Sequence, residues 1–406
     1  MELTLSRPKL ISLAAGFTDN ETLPVSEAWE LLRDLLGRRP TGEPAMQYGS
    51  TAGLPALRAQ TAARVQAQDA ATGEGRVHEE LYAPDATLLT HGSQQLLYMV
   101  TEVLCDPGDV VIVEDPTYFV FLGILQSRGL DVRGVRLEPD GLDLVRLERV
   151  LERLKREGRL PQLKLLYLVT YHQNPTATTT GFAKKAAALD LLRYYERVAG
   201  HPLYLLEDAA YRELRFAGPD TASALAASGG LGRVIYVGTY SKPFATGVRV
   251  GFGLLPEPLR GAVARVKGNH DFGTANLIQH LLARAIAEGV YDRHVGRLRT
   301  RYATKAAWMT TAMRRHFPRE VAWEEPRGGM YVWARLPRGT RAGAQSPLFR
   351  QALAADVLYV PGRLCYADDP TRRAPDSEMR LGFGNATEKD IRTGIARLGK
   401  AIRATL

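Results

Sequence analysis

The chain has 406 residues, 45% of them apolar and 24% charged, a balance that suits a soluble globular protein of two or three domains. Its net charge of +9 is scattered through helical stretches such as "YDRHVGRLRTRYATKAAW" rather than gathered in one block, which argues for a solvated arginine-rich surface and against a nucleic-acid partner. No apolar run nears the ~20 residues of a membrane span, and two distant cysteines, Cys105 and Cys365, make neither a metal pattern nor a disulfide framework, so a cytoplasmic location and no metal are expected.

The start, "MELTLSRPKLISLAAGF", lacks a basic region followed by an apolar core and so does not read as a signal peptide. Residues 1–45 are expected to form an arm and a helix that pack with a C-terminal unit. Short apolar runs bounded by turn signals then recur: "ATLLT" (86–90), "VVIV" (110–113), "LLYLVT" (165–170), "PLYLLED" (202–208), "RVIYVGT" (233–239) and "VRVGFGLL" (248–255). Such runs suit strands buried on both faces. Helical patterns such as "SQQLLYMVTEVL" and "AKKAAALDLLRYYERVA" lie between them. This alternation predicts an α/β unit over 46–285, a mostly parallel sheet covered by helices. "QDAATGEGRVHEE" (68–80) reads as a surface loop or helix end.

Beyond about residue 285 the texture changes. A helix over roughly 287–316 leads into "VAWEEPRGGMYVWARLP", a strand, a turn and a strand. A helix near "SPLFRQALAAD", strands at "VLYVPG" and "EMRLGFG" and a final amphipathic helix follow. Thr387 and Asp390 can open that last helix as a variant capping box. Residues 286–406 are therefore read as a smaller α+β domain.

The chemistry centres on "YVGTYSKPFATGVRVGFG". Lys242 follows a strand-like run, among hydroxyls, with Arg249 seven residues on. A lysine becomes nucleophilic when burial or a nearby cation keeps it deprotonated. It can then form a Schiff base with a carbonyl substrate directly, or with pyridoxal phosphate. The second chemistry requires a phosphate site, a carboxylate for the pyridinium nitrogen and, usually, an aromatic on the ring face. Candidates stand at successive strand ends. Gly92, Ser93 and Gln94 open a helix, where free N–H groups suit an anion; Ser93 could instead be a simple cap. Glu207 and Asp208 end a strand, with Tyr211 three residues beyond, where α/β sites lie. Asn174 ends another strand in an Asn-Pro turn, and Tyr118 follows a third. Each has a structural reading of its own, as cap, turn or core; it is their coincidence that points to a site.

Together with "QYGSTAGLPALR", "HGSQQ", "DPTY", "HQNPT", "EDAAYREL", "PRGGMYVW", "YVPG" and "MRLGFG", in that order, these segments resemble the class I/II aminotransferases, fold type I of the pyridoxal-phosphate enzymes. The likeness is greatest to the branch with 2-aminoadipate and kynurenine aminotransferases. The resemblance implies that Lys242 carries the cofactor as a Schiff base and moves the proton of the substrate α-carbon. It gives Ser93, Gln94, Thr239, Ser241 and Arg249 to the phosphate, Asp208 to the pyridinium, Asn174 and Tyr211 to the 3′-oxygen, and Tyr118 to the ring face. Tyr48 would reach the phosphate across a homodimer interface. Arg380, with Asn174 and the backbone of Gly16, would hold the substrate α-carboxylate, for which a guanidinium fork is well shaped. The implied activity is ping-pong transfer of an amino group from an L-amino acid to a 2-oxo acid, plausibly 2-oxoglutarate. A β-lyase or amino-acid synthase on the same fold is the alternative. A regulator that fuses this fold to a DNA-binding domain is disfavoured, since the pattern begins by about Ile11.

Two stretches depart from the family pattern. "NPTATTTG" stands where Asn-Pro-Thr-Gly or Asn-Pro-Ser-Gly is usual, and the arm "AAGFTDNETLP" carries no arginine between Gly16 and Trp29. The second departure gives no support to a preference for acidic substrates.

Overall fold

The computed structural model describes residues 7, 9–229 and 232–406. The expectations for residues 1–6 and 8, at the start of the arm, lie outside the described residues. Strand β1 (Ile11–Ser12) opens the chain. β2 (Thr87–Thr90), β3 (Val110–Asp115), β4 (Asp131–Glu138), β5 (Gly141–Leu142), β6 (Leu163–Val169), β7 (Tyr204–Asp208), β8 (Val234–Thr239) and β9 (Gly251–Leu254) follow. Among the described residues these last eight form one sheet in the order β2-β9-β8-β7-β6-β3-β4-β5.

The centre of the sheet is parallel: β4, β3, β6, β7 and β8 run the same way. β3, β7 and β8 are buried at every position, and β6 at all but Lys164. Burial on both faces is why these strands appear as unbroken apolar runs. β9 is antiparallel to both β8 and β2, so the sheet is mixed. β4 and β5 fall in a stretch read as no element. "DVRGVRLE" is only partly buried, and its charges hide its register beside β3. Helices Phe119–Ser127, Leu144–Arg156 and Phe182–Ala199 supply crossovers between the parallel strands.

β10 (Ala322–Trp323), β11 (Tyr331–Arg335), β12 (Val357–Leu358), β13 (Val360–Pro361) and β14 (Glu378–Gly382) complete the chain. Four of them make an antiparallel sheet in the order β10-β11-β14-β13. Helix Glu388–Arg403 packs on helix Val290–His316. Its cap is reciprocal: the Thr387 hydroxyl accepts from the Asp390 amide at 3.1 Å and donates to the Asp390 carboxylate at 2.7 Å.

The described residues up to 45 do not behave as one packing unit. β1 pairs in parallel with β12, Ile11 opposite Val357. Helix Val25–Leu36 lies instead against helix Asn276–Ala287, and its Leu31 joins a core with Tyr240, Phe244 and Leu281. The amphipathic pattern of that helix could not say which apolar surface it would meet. Likewise, the stretch 68–80 does hold a helix end, at Gly73 with φ 69°, but Asp69 within it is buried rather than on the surface.

Candidate active site

The carboxyl ends of β6, β7 and β8 lie side by side. Val169 pairs with Asp208, and Asp208 with Val237. The turns that leave these ends carry Asn174, Tyr211 and Lys242. β14 brings Arg380 in from the smaller sheet, where it sits in register between Trp333 and Val360. The sequence candidates thus converge from both sheets.

Lys242 is half-buried, and its Nζ donates to the Gly16 carbonyl at 2.8 Å. Burial holds the amine below its ordinary pKa; Tyr331 opposes this, while Arg380 and Arg249 add to it. No carboxylate pairs with Lys242 among the described residues. Arg380 is only 3% exposed and likewise has no carboxylate partner among them. Its Nη1 donates to Asn174 Oδ1 at 2.6 Å and its Nη2 to the Ala14 carbonyl at 2.7 Å, while its Nε finds no partner. The guanidinium lies 4.2 Å from the Tyr331 ring centre and 5.5 Å from that of Phe119. A buried cation held only by neutral oxygens suits an anionic ligand.

Asp208 is buried too. It accepts from the Ala210 amide and the Tyr167 hydroxyl, both at 3.0 Å, and pairs with no cation among the described residues. Burial pushes its pKa up to about 6 against those two donors. Asn174 Nδ2 reaches the Tyr211 hydroxyl at 3.4 Å, and that hydroxyl lies 3.3 Å from the Tyr331 hydroxyl. Tyr118 caps helix Phe119–Ser127; burial, then the nearby Asp208 charge, raises its phenol above its ordinary value.

The anion end is built from backbone and arginine. Helix Gly92–Leu104 starts against Arg249: a Cβ at Gly92, whose φ is 70°, would sit 2.6 Å from Arg249 Nη2. A Cβ at Gly251 would sit 2.3 Å from the Ser93 amide nitrogen. Two glycines therefore keep this helix N-terminus open. Arg249 adopts φ 50° and ψ 35°, a left-handed conformation costly for a side chain, and its Nη1 donates to Ser241 Oγ at 3.1 Å. Gln94 lies exposed on the first turn. Thr239 differs from expectation. Its hydroxyl accepts from the Ser241 amide at 3.0 Å and donates to the Val250 carbonyl at 3.3 Å, so it braces the turn that presents Ser241.

One more expected residue is placed differently. The Gly16 carbonyl faces Lys242 rather than Arg380; it is Ala14 that faces Arg380. Tyr48, expected to act across an interface, stands apart from the cluster of its own chain, 81% exposed, edge-on to Phe272 at 5.1 Å. In the unusual "NPTATTTG" turn, Ala177 takes φ 63°, a conformation glycine adopts freely. Thr176 and Gln173 close the turn through 2.7 and 2.8 Å bonds, so Asn174 is still presented to Arg380. Tyr167 and Tyr331 were missed. Both sit in apolar strand runs, where a tyrosine is read as core.

The chain matches the family model "Aminotransferase class I and II" over residues 8–398 and belongs to that family. It is 34% identical over 403 residues to the 2-aminoadipate transaminase of Thermus thermophilus, covering 98% of this chain and 92% of that one. It is 30% identical to aromatic-amino-acid aminotransferase 1 of Thermococcus litoralis, covering 97% and 88%. The crystal structure of Pyrococcus horikoshii kynurenine aminotransferase superposes with a TM-score of 0.88 at 28% identity, covering 100% and 93%. The protein is a pyridoxal-phosphate-dependent aminotransferase of fold type I. Its residues fit that cofactor: an open helix N-terminus beside Arg249 for a phosphate, and a buried Asp208 with no cation of its own for a pyridinium.

Proposed function

We propose that this aminotransferase takes the amino group of a neutral L-amino acid and passes it to 2-oxoglutarate, working as a homodimer in the cytoplasm. The observation that carries the reading is Arg380, a buried guanidinium with an unpartnered Nε and no carboxylate among the described residues. It would take the α-carboxylate of either substrate, with Asn174 fixing one arm of the fork. Phe119 and Tyr331 flank it, an apolar border that suits a neutral side chain better than a second carboxylate.

Pyridoxal phosphate, when bound, supplies an aldehyde for the amine and a ring that accepts electrons. Lys242 would bond that aldehyde carbon and, once freed by the substrate, hold the proton of the α-carbon on Nζ. The depressed pKa favours the neutral amine this task needs. Asp208 would keep the ring nitrogen protonated. Asn174 and Tyr211 would hold the ring's oxygen, and Tyr118 its face. Ser93, Gln94, Ser241 and Arg249 would hold the phosphate, with Thr239 bracing Ser241. We read residues 46–285 as the cofactor domain and 286–406 as the smaller domain, with the arm spanning both.

Exposed Tyr48 and Phe272, packed edge-on, favour a partner surface there, and Tyr48 would reach the partner's phosphate. The buried free thiols of Cys105 and Cys365 suit a reducing compartment. Glutamate formed from 2-oxoglutarate and each of a panel of amino acids is the test. Neutral donors should give glutamate faster than 2-aminoadipate does; no glutamate from any donor contradicts the acceptor, and a preference for 2-aminoadipate contradicts the donor class. Tyr48→Phe should weaken cofactor affinity by about 0.5–1.5 kcal/mol, one hydrogen bond; unchanged affinity in a titration of the cofactor-free protein removes the contact.

A further inference from the structure

Tyr331 lies at the point where the arm, Lys242, Tyr211 and Arg380 meet, and the reading above uses its ring but not its hydroxyl. It is 2% exposed, on β11, opposite Gly382 of β14. Its hydroxyl is 3.3 Å from that of Tyr211, and its ring lies under the Arg380 guanidinium. The arm passes directly over it. Gly382 donates to the Leu13 carbonyl at 2.6 Å, Arg380 to Ala14, and Lys242 to Gly16. A Cβ on Gly16 would come 2.7 Å from the Tyr331 hydroxyl oxygen, but 3.9 Å from its Cζ and 3.8 Å from Lys242 Nζ. Gly16 therefore lacks a side chain because of that hydroxyl and not because of the ring.

We propose that Tyr331 is a positioning residue for the amino-group transfer: its hydroxyl fixes the Tyr211 hydroxyl on one side and seats the arm at Gly16 on the other, so that Lys242, Tyr211 and Arg380 hold one geometry. The inference rests on the functional reading above for its purpose, but its geometry stands independently.

The charges around Tyr331 give it a signature of its own. Tyr211, Tyr118, Tyr302, Lys242, Arg380 and Cys365 face it from the surrounding elements. Burial pushes its phenol up, but the Arg380 guanidinium, Lys242 and the hydrogen bond with Tyr211 together hold it below the ordinary value. Tyr211 moves the other way, well above it, through burial and the neighbouring Tyr331. Of the pair, the Tyr331 hydroxyl is the one that gives up its proton more readily, and Tyr211 the one that holds it.

The test uses Tyr331→Phe, Gly16→Ala and the double variant. In the cofactor-free protein, ultraviolet absorbance should show a phenol that ionises below its ordinary range and is absent from Tyr331→Phe. Identical titrations of the two proteins in that range overturn the proposal. In the loaded enzyme, Tyr331→Phe should lower kcat/KM about threefold to tenfold, the loss of one hydrogen bond. Gly16→Ala should lower it about tenfold to a hundredfold, by displacing the arm. The double variant should exceed Gly16→Ala alone, because removing the hydroxyl makes room for the methyl. Losses that simply multiply overturn the seat. If the wild type transfers no amino group at all, the functional reading falls instead, whatever the titration shows.

Discussion

Glu207 and Asp208 are neighbours at the end of β7 and both are buried, yet they sit in opposite chemistries. On its side of the sheet Glu207 is matched by the chain itself. Lys185 lies 3.1 Å from it, and Thr170 and the Ala224 amide donate to it at 2.6 and 2.7 Å. Arg212 pairs with Asp69 at 2.7 Å on the same side. On the other side Asp208 is not so matched. Among the described residues, Lys242, Arg249 and Arg380 have no carboxylate there, and Asp208 has no cation. Alternation along a strand sends consecutive side chains to opposite faces. Glu207 is completed by the chain itself, and we propose that Asp208 is completed by the cofactor. An ionisable group buried without a partner is costly in an isolated fold, which is what sets Asp208 and Arg380 apart as a candidate site.

The contrast can be broken from either side. Lys242→Ala should have the largest effect: lost proton transfer alone costs ~10²- to 10⁴-fold in turnover, and losing the bond to the cofactor adds to that. Turnover near that of the wild type would leave Lys242 without its role. Glu207→Gln should act on stability instead. It leaves Lys185 buried without its counter-charge, at a cost of about 3–5 kcal/mol in denaturant unfolding; a loss below about 1 kcal/mol would show that the pair does not hold the fold.

Asp208 should show the opposite behaviour in the cofactor-free protein. Its folded pKa, raised to about 6, lies above its unfolded value, so the folded state binds the extra proton between them. Stability from this group is full below about pH 4 and is lost as pH rises through about 6, on the order of 3 kcal/mol in all. Asp208→Asn should flatten that part of the pH–stability curve while weakening cofactor binding. A curve of unchanged slope would mean that Asp208 is matched after all. Arg380→Ala should raise the amino-acid KM by the equivalent of about 1.5–3 kcal/mol, the range for hydrogen bonds to charged groups, and a KM equal to that of the wild type for every donor would remove it from the substrate.

Much of this was legible in the sequence, for physical reasons. Strands buried on both faces cannot hide their composition, so the central sheet was readable; β4, with charges at Asp131, Arg133 and Arg136, was not. Strand direction leaves no mark on composition, and β9 runs against β8 unannounced. The lysine, the helix start at Gly92 and the strand-end acids were visible because each breaks an apolar pattern. Which of Glu207 and Asp208 serves the site rested on family likeness, since only the pleat decides it. Tyr331 stayed hidden because "GGMYVW" satisfies a core strand without it. The roles of Ala14 and Gly16 are carried by carbonyls, which every residue has.

The most direct measurement is the visible absorption of the protein loaded with pyridoxal phosphate, beside Lys242→Ala, as single amino acids are added without an acceptor. The wild type should show a band characteristic of lysine-bound cofactor, lost as particular neutral amino acids convert the cofactor to its amine form. The variant should show no such band. A band that persists in Lys242→Ala, or one in the wild type that no amino acid changes, would contradict the assignment of amino-group transfer to this cluster.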